Sequence, residues 1–126
     1  MAKTITPEQL SAQIKGILSD YAEDLQGNLA EATRAVAKAG AKAVKSKAGS
    51  AVGGTGKYAK GWTSKVEEGR LYSTGVIYNS KAPGLPHLLE HGHANRNGGR
   101  TPGRVHIAPV EEQVVKEFVE EVEKSV

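Results

Sequence analysis

Cysteine is absent from this sequence of 126 residues, and large apolar side chains are few. The first absence excludes disulfide bonds, thiolate zinc sites and cysteine nucleophiles. Leucine, isoleucine, valine and phenylalanine together number 26, close to the level of about 20% below which chains tend to remain unfolded. The length suits a single domain over residues 1–126. We expect that domain to have a thin core and to depend on partner chains for part of its burial.

Long apolar runs are missing as well. No stretch approaches the roughly 20 apolar residues that a membrane-spanning helix needs. The first six residues, Met-Ala-Lys-Thr-Ile-Thr, lack the apolar centre of a secretion signal. We therefore expect a soluble protein that is made in the cytoplasm and contacts no membrane.

Negative charge is scarce in the middle of the chain and concentrated at its ends. Residues 1–33 carry two lysines and five acidic residues, for a net charge of −3. Residues 34–108 carry thirteen basic and three acidic residues (+10), and residues 109–126 carry two lysines and six glutamates (−4). A basic middle between acidic ends can bind nucleic acid, or it can meet the acidic surface of a neighbouring copy.

The first long segment has the pattern of one amphipathic helix. Its start is predicted at Thr6–Gln9, which offers a capping hydroxyl, a proline for the first helical position and a capping-box glutamine. Apolar residues then recur at steps of three and four. A helix over residues 7–46 would be about 60 Å long, whereas a domain of this size is only about 36 Å across. The helix must therefore protrude, or break at Gly27 or Gly40.

The rest of the chain predicts a hairpin, two loops, a short turn and a final helix. Residues 46–57 are rich in glycine and without periodicity, which indicates a flexible loop. Residues 58–79 contain two alternating segments around a Glu-Gly-Arg turn and predict an antiparallel β-hairpin. A short turn over residues 86–92, a basic glycine-rich loop over 93–104 and a helix over 109–125 follow. The expected fold is α+β, with a long N-terminal helix and a C-terminal helix packed on a small antiparallel sheet.

The segment His87–His91, His-Leu-Leu-Glu-His, matches the H-x-x-E-H pattern of one class of zinc proteases. That chemistry requires a long rigid helix and a third ligand, whereas Pro86 and Gly92 bound this segment. We interpret the segment as a structural turn whose two leucines anchor it to the core. The residues assigned to that turn are Leu88, Leu89, Glu90 and Gly92.

Other catalytic and metal-binding arrangements find little support in the sequence. No nucleophile can be combined with a base and an oxyanion donor, so we predict a protein that is not an enzyme and has no cofactor. His91 and His93 could hold a structural metal ion together with His87 or His106. Without a thiolate ligand, we favour the interpretation of these histidines as ordinary polar loop or interface residues and assign no metal site.

Five basic residues form the candidate contact surface: Arg96, Arg100, Arg104, Lys57 and Lys60. Bound to phosphates, such residues would give salt-sensitive, sequence-independent binding of nucleic acid. The loop over residues 93–104 contains no aromatic side chain that could stack on bases. We therefore predict that the five residues contact protein, and a nucleic-acid-binding module remains the alternative.

The central part of the chain resembles a known family. The segments that carry the resemblance are Tyr58-x-x-Gly61-Trp62, Tyr78-Asn79, Leu85–Ala94, Asn97–Arg100, and His106-Ile107 followed by Pro109. They are similar to the phage tail-component family of the gene-product-ten type, described as head-to-tail joining or tail-completion proteins of long-tailed bacteriophages. Val105 departs from that pattern, since many members carry proline before the His-Ile pair.

The resemblance implies a structural protein of the virion. Such a protein would form a homo-oligomeric ring, a hexamer by family resemblance, at the neck or upper tail. Its partners would be head-completion or connector proteins on one side and tail-terminator or tail-tube proteins on the other. DNA would meet it only while passing through the lumen of the ring, and the subunit would be made in the host cytoplasm.

Both glycine-rich loops, residues 46–57 and 93–104, are expected to be mobile in the free subunit because they contain few apolar anchors. Amide hydrogen exchange measures this directly. Both loops should exchange much faster than the helix over residues 109–125. Protection in the loops equal to that of the helix would contradict the expectation.

Overall fold

A computed structural model describes residues 4–54 and 56–125. Within them the elements follow in the order α1 (Pro7–Ala51), α2 (Lys57–Lys60), β1 (Trp62–Glu68), β2 (Ser73–Asn79), α3 (Leu85–His91), β3 (His93–Ala94), β4 (Arg100–Thr101) and α4 (Ala108–Ser125). β1 pairs with β2 and β3 pairs with β4, in both cases antiparallel. The predicted α+β fold, with a helix at each end and a small antiparallel sheet between them, is confirmed.

Helix α1 starts as predicted and is one continuous helix. The Thr6 hydroxyl accepts a hydrogen bond from the Gln9 N–H, and the Gln9 side chain accepts one from the Thr6 N–H. The helix is 45 residues long, or about 68 Å at 1.5 Å per residue. It passes through Gly27 and Gly40 without a break, so of the two possibilities it protrudes.

The predicted end of this helix was wrong by five residues. The segment 46–51, expected to belong to a flexible loop, continues α1 to Ala51. Ala48 is completely buried in the core, and its carbonyl accepts the N–H of Val52, so packing holds this last turn in place. The helix ends because Gly53 and Gly54 adopt positive φ angles of 67° and 75°. In the described part of the chain, the first expected loop is therefore shortened to residues 52–54 and 56.

The sheet packs its inner face on the second half of α1. The register runs from Trp62 opposite Asn79 to Glu68 opposite Ser73. The core is small, as its composition suggested. Among the described residues its central cluster is formed by Val44, Ala48, Ala59, Trp62 and Val110, and the other buried apolar residues lie on α1: Ala30, Ala32, Val36, Ala37 and Ala41. Many of the contacts with α1 involve alanine, which lets the neighbouring elements approach the helix closely.

Helix α4 runs antiparallel to α1 and covers only part of it. Val110, near the start of α4, packs with Val44 in the core, whereas Lys124, near its end, lies beside Asn28 and Ala32 of α1. Residues 7–24 of α1 extend beyond α4, and we call them the N-terminal arm. The turn between β1 and β2 reaches the end of this arm that is nearest to the core, where Arg70 forms an ion pair with Glu23 at 3.9 Å.

Three boundaries in the second half of the chain differ from the prediction. Residues 58–60, expected to start a strand, belong to the short helix α2, and β2 begins at Ser73 instead of the expected Leu71. The expected loop over residues 93–104 folds back on itself as the small β3–β4 hairpin. Among the described residues, no helix is both long enough and apolar enough to cross a membrane.

Gly40 is a point of close packing between α1, β2 and α4. An added Cβ would lie 2.5 Å from Cδ1 of Ile77 and 2.8 Å from Cγ2 of Val114, whereas a Cβ at Gly27 would meet nothing within 4 Å. Gly27→Ala should raise the free energy of unfolding by about 0.5–1 kcal/mol through helix propensity. Gly40→Ala should lower it by about 1 kcal/mol, because overpacking outweighs the same gain. Urea denaturation of both variants tests this, and equal stabilisation by the two substitutions would contradict it.

Candidate functional site

The Glu90 side chain is the centre of a polar cluster that fixes the second half of the fold. Its Oε1 atom accepts the backbone N–H groups of His106 at 2.8 Å and Ile107 at 2.9 Å, and Oε2 accepts that of Ala108 at 3.0 Å. These N–H groups lie at the start of α4, where no intrahelical acceptor exists for them. Glu90 therefore caps α4 from α3, and its negative charge lies at the positive end of the helix dipole.

The same hydrogen bonds determine the ionisation of Glu90. Burial acts to raise its pKa, but the backbone N–H groups of His106, Ala108 and Ile107 that donate to the carboxylate hold the pKa below the ordinary value. The carboxylate is thus stabilised in the charged form that the cap requires.

His106 is fully buried and extends this cluster to α2. Its Nδ1 atom lies 2.7 Å from the Arg104 carbonyl oxygen and donates to it, and its Nε2 atom then accepts from the Tyr58 hydroxyl at 2.8 Å. Burial raises the pKa of Tyr58 to about 12, so the hydroxyl keeps the proton that it donates. Trp62 packs edge-on against both rings.

Asn79 connects the end of β2 to the same cluster. It is buried, its amide donates to the Tyr58 carbonyl at 2.8 Å, and its Oδ1 accepts the N–H groups of Lys81 and Ala82 at 3.2 and 2.9 Å. We call Glu90, His106, Tyr58 and Asn79 the polar latch. The sequence interpretation missed three of its four members, although all lie in segments that carry the family resemblance.

Two glycines allow the backbone on either side of the loop over residues 93–104 to meet. Gly92 has a φ angle of +79°, and a Cβ there would collide with the backbone at Thr101 and Gly103. A Cβ at Gly103 would in turn collide with the Glu90 carbonyl. The Arg104 N–H donates to the Leu89 carbonyl at 2.6 Å across this contact. Only glycine fits at both positions.

The expectation that both leucines anchor the turn was wrong for one of them. Leu89 is half-buried, but the Leu88 side chain is 40% exposed. The reason is that α3 is held mainly by the polar contacts of Glu90 and by backbone packing. An exposed Leu88 is available for a partner instead.

The H-x-x-E-H segment does not have the geometry of a zinc protease. The rings of His87 and His91 lie on the exposed side of α3, with centroids 5.0 Å apart. Both oxygens of Glu90 are occupied by the start of α4, so the carboxylate is not available as a general base beside them. Among the described residues, no three histidine, aspartate or glutamate side chains are grouped as metal ligands.

The structure brings the two expected loops together at the C-terminal end of α1. Nη1 of Arg104 donates to the carbonyl of Val52 at 2.9 Å, and Nη2 of Arg100 donates to that of His91 at 3.2 Å. Two of the three loop arginines therefore hold the loop itself. Arg96 is exposed near the loop tip, and Lys57 and Lys60 are exposed on α2 close by. This end of the molecule is consequently basic.

Two further surfaces are apolar and uncovered. An open groove of about 350 Å³ lies between β2 and α4, with walls that include Ile77, Val115 and Phe118. The N-terminal arm presents a second apolar face, formed by the exposed side chains of Leu10, Ile14, Ile17, Leu18 and Tyr21. Exposed apolar surfaces of this kind usually mark sites of protein contact.

Comparison with known proteins gives one match. The model of a family described as "Bacteriophage HK97-gp10, putative tail-component" matches residues 12–92. The matched region includes most of α1, the β1–β2 hairpin and Glu90. Neither the curated proteins nor the solved structures contain a significant match.

Replacing Glu90 tests the polar latch. Glu90→Gln should lower the free energy of unfolding at pH 7 by about 1–3 kcal/mol, because a charged acceptor shared by three buried N–H groups becomes neutral. In the unchanged protein this stabilisation is present above the unfolded-state pKa of about 4.3 and is lost as the pH falls through the lower folded-state pKa. The difference in the free energy of unfolding between the unchanged protein and Glu90→Gln should therefore shrink as the pH is lowered.

Glu123→Gln, at an exposed position, is the control. The latch would be refuted by Glu90→Gln and Glu123→Gln having the same stability and pH dependence.

Proposed function

The chain belongs to the family of HK97 gp10-like phage tail components, and from this premise we propose that it joins the head to the tail, or completes the upper end of the tail, as the subunit of a ring. Membership makes it a structural component of the virion that interacts with other tail or head proteins. The ring and its position at the neck or upper tail are the finer part of the proposal. The connector and the tail-terminator or tail-tube proteins would be its neighbours.

The distribution of charge along α1 is the observation that carries the proposal. The N-terminal arm has four acidic residues and one lysine. At the other end of the same helix, the region around Arg104 and α2 is basic. A rigid subunit with opposite charges at its two ends favours a contact between unlike ends of neighbouring copies. Contacts of that kind close into a ring when the rotation between copies allows it.

The shape of the subunit supports the same conclusion. Its core is thin, while the arm and the groove between β2 and α4 leave large apolar side chains in contact with solvent. An assembly gives these surfaces a place to be buried, and the isolated subunit does not. This is the expected property of an obligate assembly component.

Binding of nucleic acid is the alternative use of the basic end. The same arginines and lysines would then contact phosphates. The nearest aromatic side chains, Tyr58 and Trp62, are engaged in the polar latch and the core, so they are not available to stack on bases. If the purified protein bound nucleic acid at low salt and released it at high salt, this alternative would be supported.

Charge reversal at the basic end tests the proposal. Arg96→Glu combined with Lys60→Glu should reduce the yield of infectious tailed particles at least tenfold, because the contact with the neighbouring protein becomes repulsive. Arg100 and Arg104 are left unchanged, since they hold the carbonyls of His91 and Val52. The subunit should stay folded with a nearly unchanged melting temperature, because exposed charges contribute little to stability.

The control for this experiment makes the same change of charge elsewhere. The control variant combines Lys116→Glu with Lys124→Glu. Both lysines are exposed on α4, and their substitution should leave the particle yield close to normal. A normal yield from the Arg96 and Lys60 variant would show that these two residues are not part of the contact. An equal loss from both variants would show that only total charge matters.

A further inference from the structure

The N-terminal arm has an apolar face that no other described part of the chain covers. Its side chains are 47–68% exposed: Leu10, Ile14, Ile17, Leu18 and Tyr21. Steps of three and four place them on one side of the helix. Together they expose roughly 500 Å² of apolar surface in one patch, which is at the upper end of what a soluble monomer presents.

Helix α4 packs on the continuation of this face in the second half of α1. Steps of three and four lead from Tyr21 to the positions that continue it: Leu25, Asn28, Ala32 and Ala35. Glu121 and Lys124, near the end of α4, lie beside the last three of these. The face is therefore one stripe with two parts. An antiparallel helix of the same chain packs on the second part, whereas the part on the arm has no such helix among the described residues.

The spacing of the exposed part makes it complementary to itself. Leu10, Ile14, Ile17 and Tyr21 are separated by four, three and four residues, and this order is the same in both directions along the helix. Two arms in antiparallel orientation can therefore set Ile14 of each copy against Ile17 of the other, and Leu10 against Tyr21. A surface that matches itself in this way is what a two-fold contact requires.

The position of the arm leaves room for such a contact. Residues 7–24 extend beyond α4, and in antiparallel orientation the core of each copy lies at the opposite end of the paired arms. Each arm would then continue the line of the other copy's α4 along the same side of α1. The turn between β1 and β2 contacts the arm through Arg70, which reaches Ser19 and Glu23. Both of these residues lie outside the stripe.

The charge at the end of the exposed part favours the antiparallel orientation. Asp24 is exposed and lies at the edge of the stripe, three residues after Tyr21. In antiparallel packing it meets the start of the other copy's helix near Pro7, where backbone N–H groups without an intrahelical acceptor carry a partial positive charge. Parallel packing would instead place Asp24 against Asp24 of the other copy.

The remaining acidic residues of the arm do not face one another in this arrangement. Asp20 lies at the edge of the stripe, and the antiparallel register places it beside Gln13 of the other copy, whose amide can donate to it. Glu8 and Glu23 lie outside the stripe, on the side of the helix that points away from the contact. The acidic character of the arm therefore does not oppose the pairing of its apolar faces.

We propose that two copies of this chain pair through their N-terminal arms in antiparallel orientation, so that each arm takes on the other the position that α4 holds on the second half of α1. The contact would bury about 1,000 Å² in total, near the lower limit for a specific interface. Association should therefore be reversible and depend on concentration. The pair goes beyond the proposed function, because a two-fold contact closes on two copies and does not by itself produce a larger ring.

Sedimentation of the purified full-length subunit tests the pair. The mass should rise with concentration toward twice the chain mass of 13.3 kDa. Ile17→Glu should weaken association at least tenfold, because it introduces a charge at the centre of the contact. The fold should remain intact, as circular dichroism can show, since the Ile17 side chain is 68% exposed.

The control makes the same kind of change in the groove between β2 and α4, the other apolar surface that an arm could occupy. Val119 is 50% exposed there, and Val119→Glu should leave the dimer intact. A subunit that stays monomeric at all concentrations would overturn the proposal. A dimer that Val119→Glu dissociates and Ile17→Glu does not would place the contact in the groove and would overturn it as well.

Engineered cysteines test the orientation, because the chain has no cysteine of its own. Leu10→Cys mixed with Tyr21→Cys should form a disulfide-linked dimer under oxidising conditions. Neither variant alone should, because the same position in the two copies is separated by about 16 Å along antiparallel arms. Cross-linking of either variant with itself, or no cross-link in the mixture, would contradict the antiparallel pair. Head-to-tail joining is measured separately on particles, so either proposal can fail without the other.

Discussion

The position of everything after β2 depends on the carboxylate of Glu90. That one group accepts three N–H groups at the start of α4, and the residue that donates the first of them, His106, also bonds Tyr58 on α2. The loop between Glu90 and His106 is therefore held at both ends by the same cluster. A charged acceptor is well suited to this position because it satisfies several buried donors at once. The basic end of the molecule is consequently presented by a rigid base, even though its tip is rich in glycine.

The sequence predicted those elements whose signals are local. The capping box at Thr6, the alternation in the β-hairpin and the apolar repeat of α4 each lie within a few residues, and each element is present in the structure. The end of α1 was missed because its last turn is held by the burial of Ala48, a tertiary contact, while the local composition indicated a loop. The short helix α2 was missed for a similar reason, since Tyr58 is oriented by His106 from the other end of the domain.

The candidate site was predictable in composition but only partly in geometry. Clustered arginines identified a basic loop, whereas the segment around Glu90, which was expected to be a short turn, forms the helix α3. Spacing reveals which residues share one helix face, but it does not reveal that a carboxylate will meet N–H groups more than fifteen positions later. Asn79 was expected only as the end of a strand, and His106 as an ordinary polar loop or interface residue, because burial of a polar side chain leaves no mark in a single sequence.

The length of α1 has a geometric consequence. Because the helix is continuous from Pro7 to Ala51, Ile14 on the arm and the basic end are held about 55 Å apart, at 1.5 Å per residue. Whatever binds at the two ends is therefore kept at a fixed separation by covalent structure, independently of the thin core. Inserting or deleting a residue within the helix would change the distance between the two ends by about 1.5 Å. It would also rotate the arm by about 100° around the helix axis and so change the direction in which the arm faces.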